Sequence, residues 1–197
     1  MADWIGNSKA VYATLGASNH TAEERADSDY YATDPTAVDA LLRKATLHHD
    51  IWECACGAGH LSKRLMEHGY NVKSTDIADR GYGISGVDFL KCNEHFDGDI
   101  LTNPPFKYAQ EFVEHGLSLV SDGCKVLMFL RLQFLEGKKR RRLYDTGALK
   151  TVYVFSNRIP TYKNGADAEP IHSAMAFAWF EFEKGYKGKP VIEWLDA

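Results

Sequence analysis

Residues 50–69 constrain the fold more than any other stretch of the chain. Asp50-Ile-Trp-Glu-Cys-Ala-Cys56 is an apolar run of strand length, Gly57-Ala58-Gly59 interrupts it, and residues 60–68 carry helical spacing closed by Gly69. A strand that leaves through a glycine turn into a helix opens a β-α-β crossover, the connection that parallel strands require. The glycines also remove side chains from the turn, so backbone N–H groups at the helix start can approach a nucleotide-like ligand. Such turns are also a common structural device, so the surrounding residues have to decide between the two readings.

The alternation continues along the chain. Pro35 suits a first helical turn, and Val38, Leu41, Leu42 and Ala45 recur at helical spacing. Strands are predicted at residues 71–76, 86–90 and 98–102, a helix at 108–120, the most apolar strand at 125–130 and a helix at 135–144. Two further strands, 151–155 and 174–183, have no helix between them, so the last is expected to enter antiparallel. The pattern predicts a mostly parallel α/β sheet. Residues 1–28 lack sustained periodicity and read as an N-terminal arm before a single domain at 29–197.

Composition excludes several classes. No apolar stretch reaches the roughly 20 residues of a membrane span, and no signal-peptide layout opens the chain, so a cytoplasmic location is expected. The cysteines Cys54, Cys56, Cys92 and Cys124 form no CxxC pair, and the histidines are not at zinc-ligand spacing from them, so no metal is expected. With a net charge of −4, any nucleic-acid contact has to come from a local basic patch. Lys138-Lys-Arg-Arg-Arg142 is the one concentrated run. Lys107 and Arg158 can extend it.

Two acids and one tetrapeptide carry the chemistry. A dinucleotide fingerprint would place a third glycine where Ser62 stands, which weakens an NAD reading. Asp76 ends the second predicted strand 19 residues past Gly57, the place where an acid accepts hydrogen bonds from ribose hydroxyls. Asn103-Pro104-Pro105-Phe106 follows the strand at 98–102, hence the carboxyl edge of the sheet, where open α/β sheets bind ligands. The Asn103 side-chain carbonyl and the Pro104 backbone carbonyl can each accept one N–H from a planar amine, and paired prolines hold that backbone rigid. Phe106 adds an aromatic face beside those acceptors, on which a planar ring can stack. Tyr162 and Trp179 are candidates for the opposite face, with core packing the competing reading for Trp179.

The tetrapeptide resembles the (D/N/S)PP(Y/F/W) signature of the amino-methyltransferases, and Glu53-Cys-Ala-Cys-Gly57-Ala-Gly59 resembles their acid-plus-GxG cofactor motif. Tyr31-Ala-Thr-Asp-Pro35 is similar to the segment that precedes that motif in adenine-specific members, and Val87-Asp88-Phe89 to their third motif. The resemblance covers roughly residues 30–185 and is nearest in wording to stand-alone adenine methyltransferases of phages and prophages. It implies a Rossmann-like fold, a mostly parallel seven-stranded sheet with the last strand antiparallel and helices on both faces. It also implies S-adenosylmethionine as cofactor, held by Tyr31, Thr33, Glu53, Ala55, Gly57, Gly59, Asp76, Ile77, Asp88 and Phe89. Asp88 would bond the cofactor's adenine amine, and Phe89 would pack on its ring.

The implied reaction is methyl transfer to adenine N6 in DNA, with Asn103, Pro104, Pro105 and Phe106 as the catalytic group. RNA adenine and glutamine amides in proteins are the alternatives, because all present a planar nitrogen that needs the same two acceptors. Phe at the fourth motif position is common among RNA-directed relatives; the flanking segments favour DNA. A non-catalytic binding module is a further alternative, opposed by the intact Glu53, Asp76 and Asn103. No separate target-recognition domain is expected, so base discrimination would fall to residues 78–86, 131–145 and 156–172, with short or relaxed specificity.

Overall fold

A computed structural model describes residues 31–163 and 175–196. The expected arm at 1–28 lies outside the described residues. Nine strands are described: β1 (Tyr31–Thr33), β2 (Asp50–Glu53), β3 (Asn71–Ser74), β4 (Asp99–Thr102), β5 (Lys125–Arg131), β6 (Leu149–Phe155), β7 (Thr161–Lys163), β8 (Phe177–Glu183) and β9 (Val191–Leu195). The helices are α1 (Thr36–Leu42), α2 (His60–Glu67), α3 (Ala109–Leu119) and α4 (Arg141–Asp145). Seven strands form one sheet in the order β3-β2-β4-β5-β8-β6-β9, and β1 pairs with β7 in a separate antiparallel ribbon.

Neighbouring strands in the sheet run parallel except that β8 is antiparallel to both β5 and β6. The strand expected to enter antiparallel is therefore β8. Alternation along each buried strand sends side chains to two cores. Ile51, Leu101, Leu127 and Phe129 meet α1 and α2 through Val38, Leu41, Leu61 and Leu65. Trp52, Ile100, Val126 and Met128 meet α3 and α4 through Phe112, Val113 and Leu143. Helices thus cover both faces of the sheet.

Three expectations are corrected. Residues 86–90 do not form a strand: Gly86 takes a left-handed φ of 77°, and the Asp88 side chain accepts from the Leu90 N–H (3.2 Å), winding Phe89–Lys91 into a single 3-10 turn. The seventh strand is β9 instead, and the sequence hid it because only Leu195 of its residues is buried. The helix expected at 135–144 is broken by Gly137 (φ 120°) into two 3-10 turns and the short α4.

Because β2 to β6 run parallel within the sheet, their carboxyl ends share one edge. Glu53, Asp76, Asn103 and Arg131 end or follow β2, β3, β4 and β5 there. Among the described residues no helix is long and apolar enough to cross a membrane.

Candidate active site

A cavity of about 680 Å³ opens at that edge. Its lining includes the β2 exit, from Glu53 to Cys56, and His60 and Leu61 at the start of α2. Glu53 is 2% exposed and accepts a hydrogen bond from Ser62 Oγ, which also contacts Ser74 Oγ at 2.6 Å. Burial is the main force on this carboxyl and pushes its pKa to about 8; the nearby Asp76 charge adds to it, and the Ser62 bond works against it. Near neutral pH Glu53 therefore carries a proton.

The turn itself is fixed by Asp76. Gly57 N–H donates to one Asp76 oxygen (2.8 Å), and Ala78 N–H donates to the other (2.8 Å). This ties the ends of β2 and β3 together. Gly59 sits at φ 80° as the residue before α2, and a Cβ there would lie 2.3 Å from the Tyr82 ring. Only glycine satisfies both the left-handed backbone and that approach. Beyond Asp76, Ile77 is 67% exposed on the cavity wall, an apolar side chain that a bound ligand would cover.

The tetrapeptide lines the same cavity from the end of β4, the strand beside β2. Asn103 leaves β4, and its amide nitrogen donates to Thr33 Oγ1 of β1 (2.9 Å). That bond fixes the amide's rotation and sets its carbonyl arm on the other side from Thr33. Thr33 is itself buried, so the brace is rigid. Asn103, Pro104, Pro105 and Phe106 all line the cavity together with Thr33, Glu53, Ala55, Asp76, Ile77, Asp88 and Phe89. Gly57 and Gly59 fall between two lining residues, Cys56 and His60, without lining the cavity themselves. Tyr31 stands in β1, one residue from Ala32 on the cavity wall.

The expected roles of the third-motif residues need adjustment. Asp88 pairs with Lys91 (2.8 Å), whose hydrogen bond is the main reason its carboxyl is held below the usual range. Phe89 is 2% exposed and packs against Trp52, Phe112 and His115, so it is a core residue with one edge on the cavity rather than an open stacking face.

Trp179 is corrected outright. It is fully buried on the α1 side of the sheet, edge-on to Phe129, and its indole N–H donates to Ala37 O (3.0 Å). It cannot reach a base in the cavity. The backbone of Tyr162 pairs with Ala32 in the β1–β7 ribbon, which brings that segment to the cavity wall.

The basic run divides. Arg140 turns inward, donating to Phe134 O (3.0 Å) and Glu136 O (2.7 Å) and stacking on the Phe134 ring, so it is a structural clamp. Arg141 pairs with Asp145 (2.7 Å) and Arg142 with Glu114 (3.4 Å). Lys138 and Lys139 are exposed on the segment after β5, as are Lys107 after the tetrapeptide and Arg158 after β6. These lysines and Arg158 flank the carboxyl edge.

Sequence reasoning missed Tyr108 and Arg131. Tyr108 is 43% exposed on the cavity wall two residues past Phe106, a position the tetrapeptide alone could have flagged. Arg131 ends the apolar β5 and lies over the Phe106 ring at 4.7 Å; only the pairing of β4 with β5 brings the two together.

No protein-family model matches the chain, and no curated protein matches it. Solved structures do. A protein from Listeria monocytogenes assigned to the class I S-adenosylmethionine-dependent methyltransferases superposes with a TM-score of 0.56 at 11% identity, over 82% of this chain and 62% of that one. A modification subunit assigned to a type I restriction enzyme of Vibrio vulnificus YJ016 gives 0.57 at 14% identity, over 85% and 47%. A protein from Pyrococcus horikoshii assigned as an RNA methyltransferase gives 0.51 at 13%, over 76% and 81%. The fold is that of the class I S-adenosylmethionine-dependent methyltransferases. The chain spans less than two thirds of the Listeria and Vibrio proteins.

Proposed function

We propose that the chain transfers a methyl group from S-adenosylmethionine to the N6 amine of adenine in DNA. The observation that carries this reading is the braced Asn103, whose amide is fixed by Thr33 on the wall of the same cavity that Glu53, Asp76 and the residues flanking the glycine turn line. One cavity thus offers acceptors for a planar amine and a floor suited to a nucleoside-bearing cation.

The residues fit the cofactor. Glycine backbone at φ 55° and 80° clears room for close approach, Asp76 brings a carboxylate to the place of the ribose hydroxyls, and Ile77 gives an apolar surface for a purine. Glu53 supplies a buried carboxyl that a bound cation would draw toward its charged form. When bound, S-adenosylmethionine supplies an electrophilic methyl group on a sulfonium.

The chain's own contribution is positioning. The exocyclic amine of adenine is a poor nucleophile because its lone pair is delocalised into the ring. Asn103 Oδ1 and Pro104 O accept its two N–H bonds, draw the nitrogen toward tetrahedral geometry and direct the lone pair across the cavity. The proton released after transfer passes to water. Phe106 stacks on the extruded base.

Thr33 acts through Asn103. Thr33→Val is expected to lower kcat about three- to tenfold, the value of one neutral hydrogen bond, with cofactor affinity unchanged in a titration with S-adenosylhomocysteine. Phosphate contact is proposed for the exposed Lys138 and Lys139. Replacing both by Ala is expected to flatten the slope of log K against log salt by about 1.5 to 2 for DNA binding, whereas an unchanged slope removes them from the interface.

The reading is tested by incubating the protein with methyl-labelled cofactor and separating DNA, RNA and protein. Label is expected in DNA. Label confined to RNA or protein reassigns the substrate, and no label in any pool turns the site into a binding module.

A further inference from the structure

Phe106 cannot hold its own plane. It is half-buried in a single 3-10 turn between two prolines and Lys107, without a helix or strand of its own to fix it. Its support comes from the neighbouring strand. The Arg131 guanidinium carbon lies 4.7 Å from the Phe106 ring centroid, and Phe177, directly opposite Arg131 in the β5–β8 register, meets the ring at 6.0 Å and 37°. Phe177 is stacked in turn on the buried Phe129 at 5.1 Å and 6°. Phe106 lines the cavity while Arg131 and Phe177 do not, so both stand behind the ring as seen from the cavity.

The cation at this position is costly. Arg131 Nε is buried with no hydrogen-bond partner, and no carboxylate among the described residues lies within ion-pair distance of the guanidinium. An orphaned buried donor is destabilising, and a methionine would fill similar space without that cost. What the guanidinium provides and methionine does not is a cation over an aromatic ring.

We propose that Arg131 is a positioning residue that locks the Phe106 ring as the stacking platform for the target base. The proposal rests on the adenine-methyltransferase reading above. A ring already pinned from behind loses little freedom when a base stacks on its cavity face, so the binding of the extruded adenine is strengthened without Arg131 touching it.

The test uses Arg131→Met, Arg131→Lys and Phe106→Leu in the full chain with S-adenosylhomocysteine bound. The probe is an oligothymidylate carrying one 2-aminopurine, an adenine analogue whose fluorescence is quenched by stacking. The unaltered protein is expected to quench it, Phe106→Leu to abolish quenching, Arg131→Met to lose about half of it, and Arg131→Lys to restore most of it. In parallel, kcat/KM for methyl transfer to unmethylated DNA is expected to fall about tenfold in Arg131→Met, within the range of a desolvated cation–π contact. S-adenosylhomocysteine affinity should stay within about twofold.

Quenching in Arg131→Met equal to that of the unaltered protein overturns the role of Arg131 while leaving that of Phe106 intact. If Arg131→Met fails to fold, Arg131→Lys carries the test: quenching as low as in Phe106→Leu overturns the proposal, because the cation is still present. No quenching by the unaltered protein overturns base stacking itself, and the proposal with it.

Discussion

Replacing Asn103 by Ala is expected to lower methyl transfer by about 100- to 1,000-fold, the cost of losing one preorganised polar group that acts on charge developing in a transition state. The side chain supplies one of the two acceptors that make the amine nucleophilic, and Pro104 O alone leaves one N–H directed elsewhere. Cofactor affinity should stay within about twofold, because the proposed role of Asn103 is toward the amine, whereas the cofactor is assigned to Glu53 and Asp76. Asn103→Asp separates acceptor from partner. Its carboxylate still accepts from the amine, and Thr33 Oγ1, which accepts from Asn103 Nδ2, can turn its hydroxyl to donate instead. Partial activity in Asn103→Asp beside near-complete loss in Asn103→Ala is the expected pattern, measured as single-turnover rates. Equal losses in both would show that the acceptor is not what matters.

Glu53 predicts the largest effect on stability. Its carboxyl titrates at an ordinary 4.5 in the unfolded chain and at about 8 in the folded one, chiefly because burial disfavours the charged form. Between those values the folded protein retains a proton that the unfolded chain has released. The contribution to stability is full below pH 4.5 and lost as pH rises toward 8 and beyond, by roughly 4 to 5 kcal/mol. Glu53→Gln keeps a neutral group of similar shape beside Ser62 and escapes that loss. In the absence of cofactor its Tm should match the unaltered protein near pH 5 and exceed it by about 10 °C above pH 8, read by differential scanning calorimetry. Cofactor binding should move the opposite way. Glu53 ionises more readily beside a cation, so the unaltered protein is expected to bind S-adenosylmethionine more tightly as pH rises toward 8, and Glu53→Gln to lose that pH dependence. Parallel pH profiles for the two proteins would remove Glu53 from the cofactor site.

The parts of this molecule that were legible in the sequence are those where one local signal carries both the element and its place. The strand at 50–56, the glycine pair and the helix after them stand where expected, although the strand stops at Glu53, and Gly57 and Gly59 adopt the left-handed backbone the turn demands. Asn103 lies at a carboxyl strand end because its strand is buried throughout and the prolines stop it. The errors share a different origin. Residues 86–90 carry strand-forming residues, but Gly86 and the Asp88 cap wind the chain before a neighbour can pair with it. β9 was hidden because an edge strand with one buried residue has no apolar alternation to read. Trp179 sits on a strand that reaches the correct edge, yet the parity of the strand turns it toward α1 and the core, where its indole finds Ala37 O. The Thr33–Asn103 and Arg131–Phe106 contacts each join residues on segments far apart in the chain, and no spacing along one segment reports them.

The central claim is that one cavity activates the N6 amine of adenine for methyl transfer. The direct measurement is to incubate unmethylated DNA with the protein and deuteromethyl-labelled S-adenosylmethionine, digest the DNA to nucleosides and identify the labelled product by mass spectrometry. The account predicts labelled N6-methyl-2′-deoxyadenosine that disappears with Asn103→Ala. Label on cytosine, or N6-methyl-2′-deoxyadenosine formed undiminished by Asn103→Ala, would contradict it.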